Sequence, residues 1–311
     1  MKKQNLKFLR KNIYYDSQLD EYLIGEYCRK SPIPLSVCLE VTRACNFRCK
    51  HCSEVGSMND MSTKNIVKII DDLADNDIKR ISISGGEPLM RKDLSEIIQI
   101  ISDKKMIISL STNGYLLNEE IIKKLKGRVA NLRISLHGKE KFHDNFVGVN
   151  GAYKKVIQNI KLCAKHSVPV GLVCTVMQSN LSELVDVIEI GKEIAVNKIT
   201  FYSLFNKGRA KEIFDTEKIA INTINQVLGQ YKPNLNSKNS ELCIKLVNWE
   251  NGLRKSLIIL PNGNLIASPF LEKSNLVYNI GNLLNDNFAS LWKKFPFKQD
   301  YYAKHFSDTY Y

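Results

Sequence analysis

From Leu35 onward, short β-branched runs alternate with segments of helical period, and no other feature narrows the fold of this 311-residue chain as far. "LSVCLEVT" (35 to 42) is followed by "STKNIVKIIDDLADN", "IKRISISG" (78 to 85) by "LSEIIQIISDKK", and "MIISLSTNG" (106 to 114) by "NEEIIKKLKG". "NLRISLHG" (131 to 138) precedes "AYKKVIQNIKLCAKH", and "VPVGLVCTVM" (168 to 177) precedes "LSELVDVIEIGKEIAV" and a sixth run, "NKITFYSL" (197 to 204). Six strands joined by helices require a parallel sheet with right-handed crossovers. The chain is therefore α/β. Six repeats fit a partial barrel as well as a doubly wound sheet.

In either architecture the loops after the strands line the site. Those loops hold the unusual segments: "CNFRCKHC" after the first strand, "GGEP" (Gly85 to Pro88) after the second, "STNG" (Ser111 to Gly114) after the third and "SLHG" (Ser135 to Gly138) after the fourth. All four are expected on one rim. Beyond Leu204 the alternation stops. "FNKGRA" leads to a polar region, a helix expected near Glu217 to Tyr231, and "NLNSKNS", which reads as a linker. "SLIILPNGNLIAS" reads as a hairpin around Asn262 and Gly263, and "NLLNDNFASLWKKF" as a closing helix that packs Leu291 and Trp292. The expected division is an N-terminal extension (1–34), a core (35–204) and a smaller C-terminal extension (205–311).

The longest apolar run, Val168 to Met177, is shorter than the ~20 residues of a membrane span. The basic start "MKKQNLKFLRKNIYY" has no apolar stretch for a secretory signal, so a cytoplasmic protein is expected. Eight cysteines in a reducing compartment read as ligands, reactive groups or packing residues rather than disulfides. Lys plus Arg exceeds Asp plus Glu by 45 minus 32, or 13, but the lysines are scattered over helix faces. No basic-aromatic stripe marks a nucleic-acid partner, and none is expected.

Cys45, Cys49 and Cys52 form CxxxCxxC with no nearby fourth thiol. Thiolates are the usual protein ligands of iron-sulfur clusters, and a four-iron cubane held by three of them keeps one iron open for a substrate or cofactor. Zinc with a distant fourth Cys or His also fits the spacing.

CxxxCxxC after a first strand, with His51 just before the last cysteine and "GGEP" after the next strand, resembles the radical SAM superfamily over about residues 35 to 204. The resemblance implies a partial (β/α)6 TIM-like barrel. It also implies one 4Fe-4S cluster on Cys45, Cys49 and Cys52, whose open iron chelates S-adenosylmethionine. An electron from an external donor such as flavodoxin or ferredoxin then cleaves the sulfonium to a 5′-deoxyadenosyl radical, which abstracts a hydrogen atom from substrate. In similar enzymes the backbone of Gly85, Gly86 and Glu87 holds the methionine amino group, with Pro88 fixing the turn. Ser111, Asn113 and Ser135 fall where the family contacts ribose or carboxylate, and His51 where backbone meets the adenine edge. Asn113 and Gly114 suit a tight turn equally well. His137 receives no role.

Two departures stand out. Relatives of the peptide-modifying branch read "HDxxRG" after the fourth strand, the Arg pairing with the carboxylate of S-adenosylmethionine; here "HDNFVG" places Val147 there. The C-terminal region is similar to SPASM and twitch extensions, yet Ser268 stands where an auxiliary-cluster cysteine is expected, and no cysteine follows Cys243. A small α+β twitch-like extension without a second cluster is the expectation. Cys243 reads either as a packing residue or as a hydrogen-atom donor to a substrate radical, with Cys174 a weaker rival. The leading reading is an enzyme that tailors a ribosomally made peptide, although residues 1–34 are too few for a winged-helix leader-binding module. The alternatives are an epimerase or dehydrogenase of a small metabolite, such as an amino sugar or cofactor precursor, and a non-catalytic zinc protein.

Overall fold

A computed structural model describes residues 6–10, 13–16, 21–24, 34, 36–229, 231, 242–248, 256–268 and 278–294. Three short strands come first, β1 (Leu6–Arg10), β2 (Ile13–Asp16) and β3 (Glu21–Ile24), paired antiparallel. The alternation follows as β4 (Ser36–Glu40), α1 (Thr63–Asp75), β5 (Arg80–Ser84), α2 (Leu94–Asp103), β6 (Ile107–Thr112), α3 (Glu119–Leu125) and β7 (Val129–Ser135). It continues through α4 (Glu140–Val147), α5 (Ala152–Lys165), β8 (Val170–Val176), α6 (Glu183–Glu193) and β9 (Lys198–Ser203). Then come α7 (Ala210–Glu217), α8 (Ile221–Gly229), β10 (Cys243–Val247), β11 (Ser256–Ile259), β12 (Asn264–Ser268), β13 (Tyr278–Asn282) and α9 (Phe288–Lys294).

Five of the six expected strands form within their runs, and β7 starts two residues before its own, at Val129. The helix expected near Glu217 to Tyr231 is α8, with α7 a separate helix before it. The hairpin is the antiparallel pair β11–β12, and α9 buries Leu291 and Trp292. The expected linker 234–240 and Pro269 lie outside the described residues.

The chain divides into two compact units, residues 1–43, 58–109 and 250–311, and residues 44–57 and 110–249, so that β6 contributes to both. In the first unit the hydrogen-bonded order is β6-β5-β4-β11-β12-β13. β4 pairs parallel with both β5 and β11, while β12 and β13 continue antiparallel. Its helix α1 is capped by Ser62, whose side chain accepts from Asn65 N, and buries Ile66, Ile69, Ile70 and Leu73 on one stripe. The Phe288 N–H at the start of α9 donates to Asp72 of α1 at 2.6 Å.

The second unit has the order β10-β9-β8-β7-β6, with β7 to β10 mutually parallel. Neither series closes on itself. Register and pleat assign two faces to these strands. Ile134 of β7, in register with Leu172 and Ile199, lies on the helix side: Ile134 and Val156 of α5 flank Gly114, and Ile199 meets Gly191 of α6. The opposite face carries Arg133 and Ser135 of β7, Gly171 and Val173 of β8, Lys198 and Thr200 of β9, and Cys243 and Lys245 of β10.

Candidate functional site

Residues 44–57 of the second unit carry Cys45, Cys49 and Cys52 in a loop without regular structure, so the loop must be held by bonds from outside itself. The last carbonyls of α4, which have no partner within the helix, supply two of them. Arg48 N donates to Val147 O at 3.0 Å and Lys50 N to Phe146 O at 3.2 Å. The segment Lys207–Arg209 grips the other side. Arg209 donates from its backbone N–H to Cys52 O and from Nε to Cys49 O, each at 2.9 Å. Lys207 pairs with Glu54 at 2.5 Å. Between them Gly208 lies so close beneath Cys52 and Ser53 that no side chain fits.

The thiols are near enough to feel one another. Burial first, then the negative charges of Cys45 and Cys52, push the Cys49 thiol up to about 12, and the Arg209 guanidinium opposes them. Three thiolates on this loop therefore need added positive charge, which iron supplies. Backbone N–H donation from Phe47 to Cys45 Sγ at 3.4 Å is a contact of the kind that tunes cluster sulfurs. The donor set and its surroundings fit a cluster held by Cys45, Cys49 and Cys52. Among the described residues no three His, Cys, Asp or Glu side chains are gathered closely enough to hold a single metal ion.

His51 stacks on Phe146, centroids 4.8 Å apart and planes within 3°, and meets the edge of His137 at 4.8 Å. Burial lowers His51 to about 4, helped by Arg209, so its ring is neutral beside the cysteines. His137, unassigned from sequence, is 2% exposed; its Nδ1 accepts from Thr175 N, and its own N–H donates to His143 Nδ1, both at 3.3 Å. The neighbouring "HD" has structural work. His143 receives that bond, and Asp144 accepts from Gly151 N at 2.6 Å and Tyr153 N at 2.7 Å, closing the start of α5. Val147 is 1% exposed in an apolar cluster with Phe47, Phe146, Ala152, Met177, Leu204 and Ala210, against which Cys49 packs. The position of the missing Arg thus anchors the cysteine loop by packing.

Asn113 does two things: its Nδ2 donates to Asn46 Oδ1 in the cysteine loop at 2.7 Å, and its Oδ1 accepts from Tyr115 N at 3.0 Å to form a tight turn. Ser111 is the penultimate residue of β6, and Ser135 ends β7; both are partly exposed. Cys243 begins β10 in register with Lys198, on the face that carries Ser135. Cys174 is in register with Phe201 on the helix side and is fully buried; burial raises its thiol, and Asn180 Nδ2 donates to it at 3.7 Å. That placement makes Cys174 a packing residue.

Gly85 to Pro88 belong to the first unit. A Cβ on Gly85, at φ +139°, would meet Thr42 O at 2.3 Å, and Gly86 N donates to that same oxygen at 2.8 Å. Glu87 is fully buried, and its Oε1 accepts from Leu89 N at 3.0 Å to cap the 3-10 turn Pro88–Met90. Arg91 steadies the base of this turn, donating to Val41 O at 3.0 Å and Met61 O at 2.8 Å. Sequence reasoning missed Arg91, α4 and the roles of Lys207 and Arg209; "FNKGRA" was the available signal for the last two.

Residues 39–191 match the Radical SAM superfamily. They form a radical SAM domain. Fe-coproporphyrin III synthase of Methanosarcina barkeri is 33% identical over 205 residues, covering 64% of this chain and 51% of that protein. The antilisterial bacteriocin subtilosin biosynthesis protein AlbA of Bacillus subtilis is 24% identical over 274 residues, covering 84% of this chain and 60% of that one. The chain thus spans about half to three fifths of the length of these two relatives. Streptococcus suis SuiB bound to precursor peptide SuiA superposes with a TM-score of 0.68 at 14% identity, over 86% of this chain and 66% of SuiB. The likeness shows the fold of this chain: a parallel α/β core of the partial TIM-barrel kind, its sheet not closed. Among the described residues no helix is long and apolar enough to cross a membrane.

Proposed function

We propose that this chain is a radical SAM enzyme that modifies a ribosomally made peptide. The observation that carries the chemistry is the cysteine loop: three thiols in one another's field, pinned by α4 on one side and by Lys207 to Arg209 on the other. The bound cluster would supply one electron to S-adenosylmethionine and so yield a 5′-deoxyadenosyl radical that takes a hydrogen atom from substrate. Cys45, Cys49 and Cys52 hold it, Arg209 lowers the cost of thiolate charge, and the neutral His51–Phe146 stack walls the loop from water. Within the unit that carries the cysteine loop, Ser111, Asn113 and Ser135 take contacts to S-adenosylmethionine. The electron comes from a flavodoxin or ferredoxin. The peptide assignment is supported by the reach of the similarity: the match to the subtilosin biosynthesis protein extends over 84% of the chain, whereas the match to the coproporphyrin enzyme covers 64%.

A second outcome, epimerisation, is favoured by one observation. Cys243 shares a strand face with Ser135, where a thiol hydrogen can return to a carbon radical, leaving a sulfur radical for later reduction. The test uses anaerobically reconstituted protein, a reductant and S-adenosylmethionine. Formation of 5′-deoxyadenosine that is lost in Cys49→Ala supports the reading; none from fully loaded protein rejects it. A solvent-deuterium label in the product that disappears in Cys243→Ala identifies epimerisation.

A further inference from the structure

Where α4 meets the cysteine loop, three exposed cations lie along one stripe of the second unit. Lys141, Asn145 and Gly148 recur at i, i+4 and i+7 on one side of α4 and its C-terminal cap, and all three are exposed. The Lys50 ammonium lies 3.4 Å from Asn145 Oδ1, and Arg48 Cβ lies 3.8 Å from where a Cβ on Gly148 would stand. Arg48 and Lys50 are themselves exposed. Lys141, Lys50 and Arg48 therefore follow one another along the rise from Lys141 to Gly148, about 10 Å.

Among the described residues none of the three pairs with a carboxylate. The two acids of α4 are engaged elsewhere, Glu140 with Lys154 at 3.0 Å and Asp144 with the N–H groups of Gly151 and Tyr153. Glu54, the acid that ends the cysteine segment, is held by Lys207. Other exposed lysines of this unit do find acids: Lys123 pairs with Glu119, Lys124 with Glu120 and Lys139 with Asp186. A single-sign stripe draws a partner of opposite charge and speeds its arrival. The packing beside the stripe is aromatic. Phe142, half-buried and next to Lys141, stacks on Phe146 at 5.7 Å with planes within 22°, and Phe146 stacks on His51, which precedes Cys52. Packed rings thus link this surface to the cysteine loop, and electron tunnelling falls off less steeply through packed groups than across a gap.

We propose that Arg48, Lys50 and Lys141 form the docking face for an acidic protein that carries single electrons to the cysteine loop. The proposal rests on the radical SAM reading, which requires an electron from outside the chain, and it names where the carrier binds. Position selects this occupant. Arg48 and Lys50 flank Cys49 in the sequence, so carboxylates paired with them bring the carrier close to a cluster held by Cys45, Cys49 and Cys52. Redox partners make small, transient contacts steered by charge, and three cations free of acids suit such a contact. One electron leaves the carrier's reduced centre, which is oxidised by one, and the cluster is reduced by one. No bond breaks and no proton moves.

The test runs the transfer downhill, from reduced reconstituted protein to an oxidised acceptor in stopped flow, with S-adenosylmethionine and peptide left out; by microscopic reversibility the same face serves both directions. Two acceptors are compared, an acidic flavodoxin that is reduced to its semiquinone and a zwitterionic sulfonated viologen of no net charge. With flavodoxin the second-order rate constant is expected to fall about tenfold or more between roughly 20 and 300 mM salt, and by a similar factor at low salt in the triple variant Arg48→Gln/Lys50→Gln/Lys141→Gln. The backbone bonds of Arg48 and Lys50 to α4 survive these substitutions. Lys141→Glu alone is expected to lose about threefold or more, and the control Lys123→Gln on α3 nothing. Viologen rates are expected to match the wild type in every variant, which separates docking from damage to the cluster. Calorimetric affinity of oxidised flavodoxin for the loaded protein is expected to weaken in parallel. Equal flavodoxin rates and affinities in wild type and triple variant overturn the proposal, and so does an equal loss with both acceptors. Unchanged flavodoxin rates with weakened binding of a polyglutamate peptide assign the stripe to an acidic peptide and also overturn it. Because S-adenosylmethionine is absent, failure of these rates is separable from failure to make 5′-deoxyadenosine.

Discussion

A Cβ atom built on Gly208 meets the carbonyl oxygen of Cys52 at 2.4 Å, and Gly208 holds φ at +63°. Any side chain there must push the cysteine loop away from Arg209 and Lys207, which grip it on either side. Gly208→Ala is expected to fold, since the strained turn adds only about 1–2 kcal/mol. It is expected to retain less than half the wild-type iron and sulfide after reconstitution, measured by elemental and sulfide assay. Wild-type loading in this variant would show that the grip is dispensable.

Arg209 places a positive charge where Cys49 feels it and donates to Cys49 O. Its removal favours the more oxidised, less negative state of a bound cluster. In Arg209→Gln the midpoint potential of the loaded protein is expected to fall by tens of millivolts in a redox titration, while Arg209→Lys stays closer to wild type. Equal potentials in all three would place Arg209 in support of the backbone alone.

Val147 tests whether the missing Arg can simply be restored. The side chain is buried among Phe47, Phe146 and Leu204, so Val147→Arg forces a charge into an apolar cluster without a partner. A loss of about 3 kcal/mol or more is expected, seen as a thermal midpoint lower by at least about 5 °C. Affinity for S-adenosylmethionine is not expected to rise. A stable variant with tighter binding would contradict the packing role assigned here.

The six strands and the helices between them were legible because the period switches cleanly between two and 3.6 residues from Leu35 to Leu204. What local periodicity does not encode is pairing over long separations. β11 lies beside β4 and β10 beside β9, and it is the β10–β9 register that puts Cys243 on Ser135's face. The three cysteines and the glycine turn were legible because few residue types suit them. α4 was not: "HDNFVG" invited comparison with a motif whose Arg it lacks, while its physical content is Asp144 closing α5 and two carbonyls holding the cysteine loop. β1 to β3 escaped notice because their runs are short and carry no Gly or Pro turn signal.

His143 gives a pH signature. Burial lowers its ring from an ordinary 6.5 to about 4, opposed only by Asp144, so the folded state prefers neutral imidazole. Its contribution to stability is complete above pH 6.5 and is lost as pH falls towards 4, by up to roughly 3 kcal/mol. Urea unfolding of the metal-free chain between pH 7 and 4.5 is expected to show a shallower acid loss in His143→Gln, whose amide can still accept from His137 N. Parallel curves would remove His143 as the source.

The open iron corner is tested most directly by electron paramagnetic resonance of the reduced, reconstituted protein with S-adenosylmethionine labelled with nitrogen-15 at its amino group. The expected result is a 4Fe-4S signal that changes on addition and acquires coupling to the label, absent in Cys49→Ala. A signal indifferent to S-adenosylmethionine, or one equivalent of zinc held by four protein donors, would contradict the account.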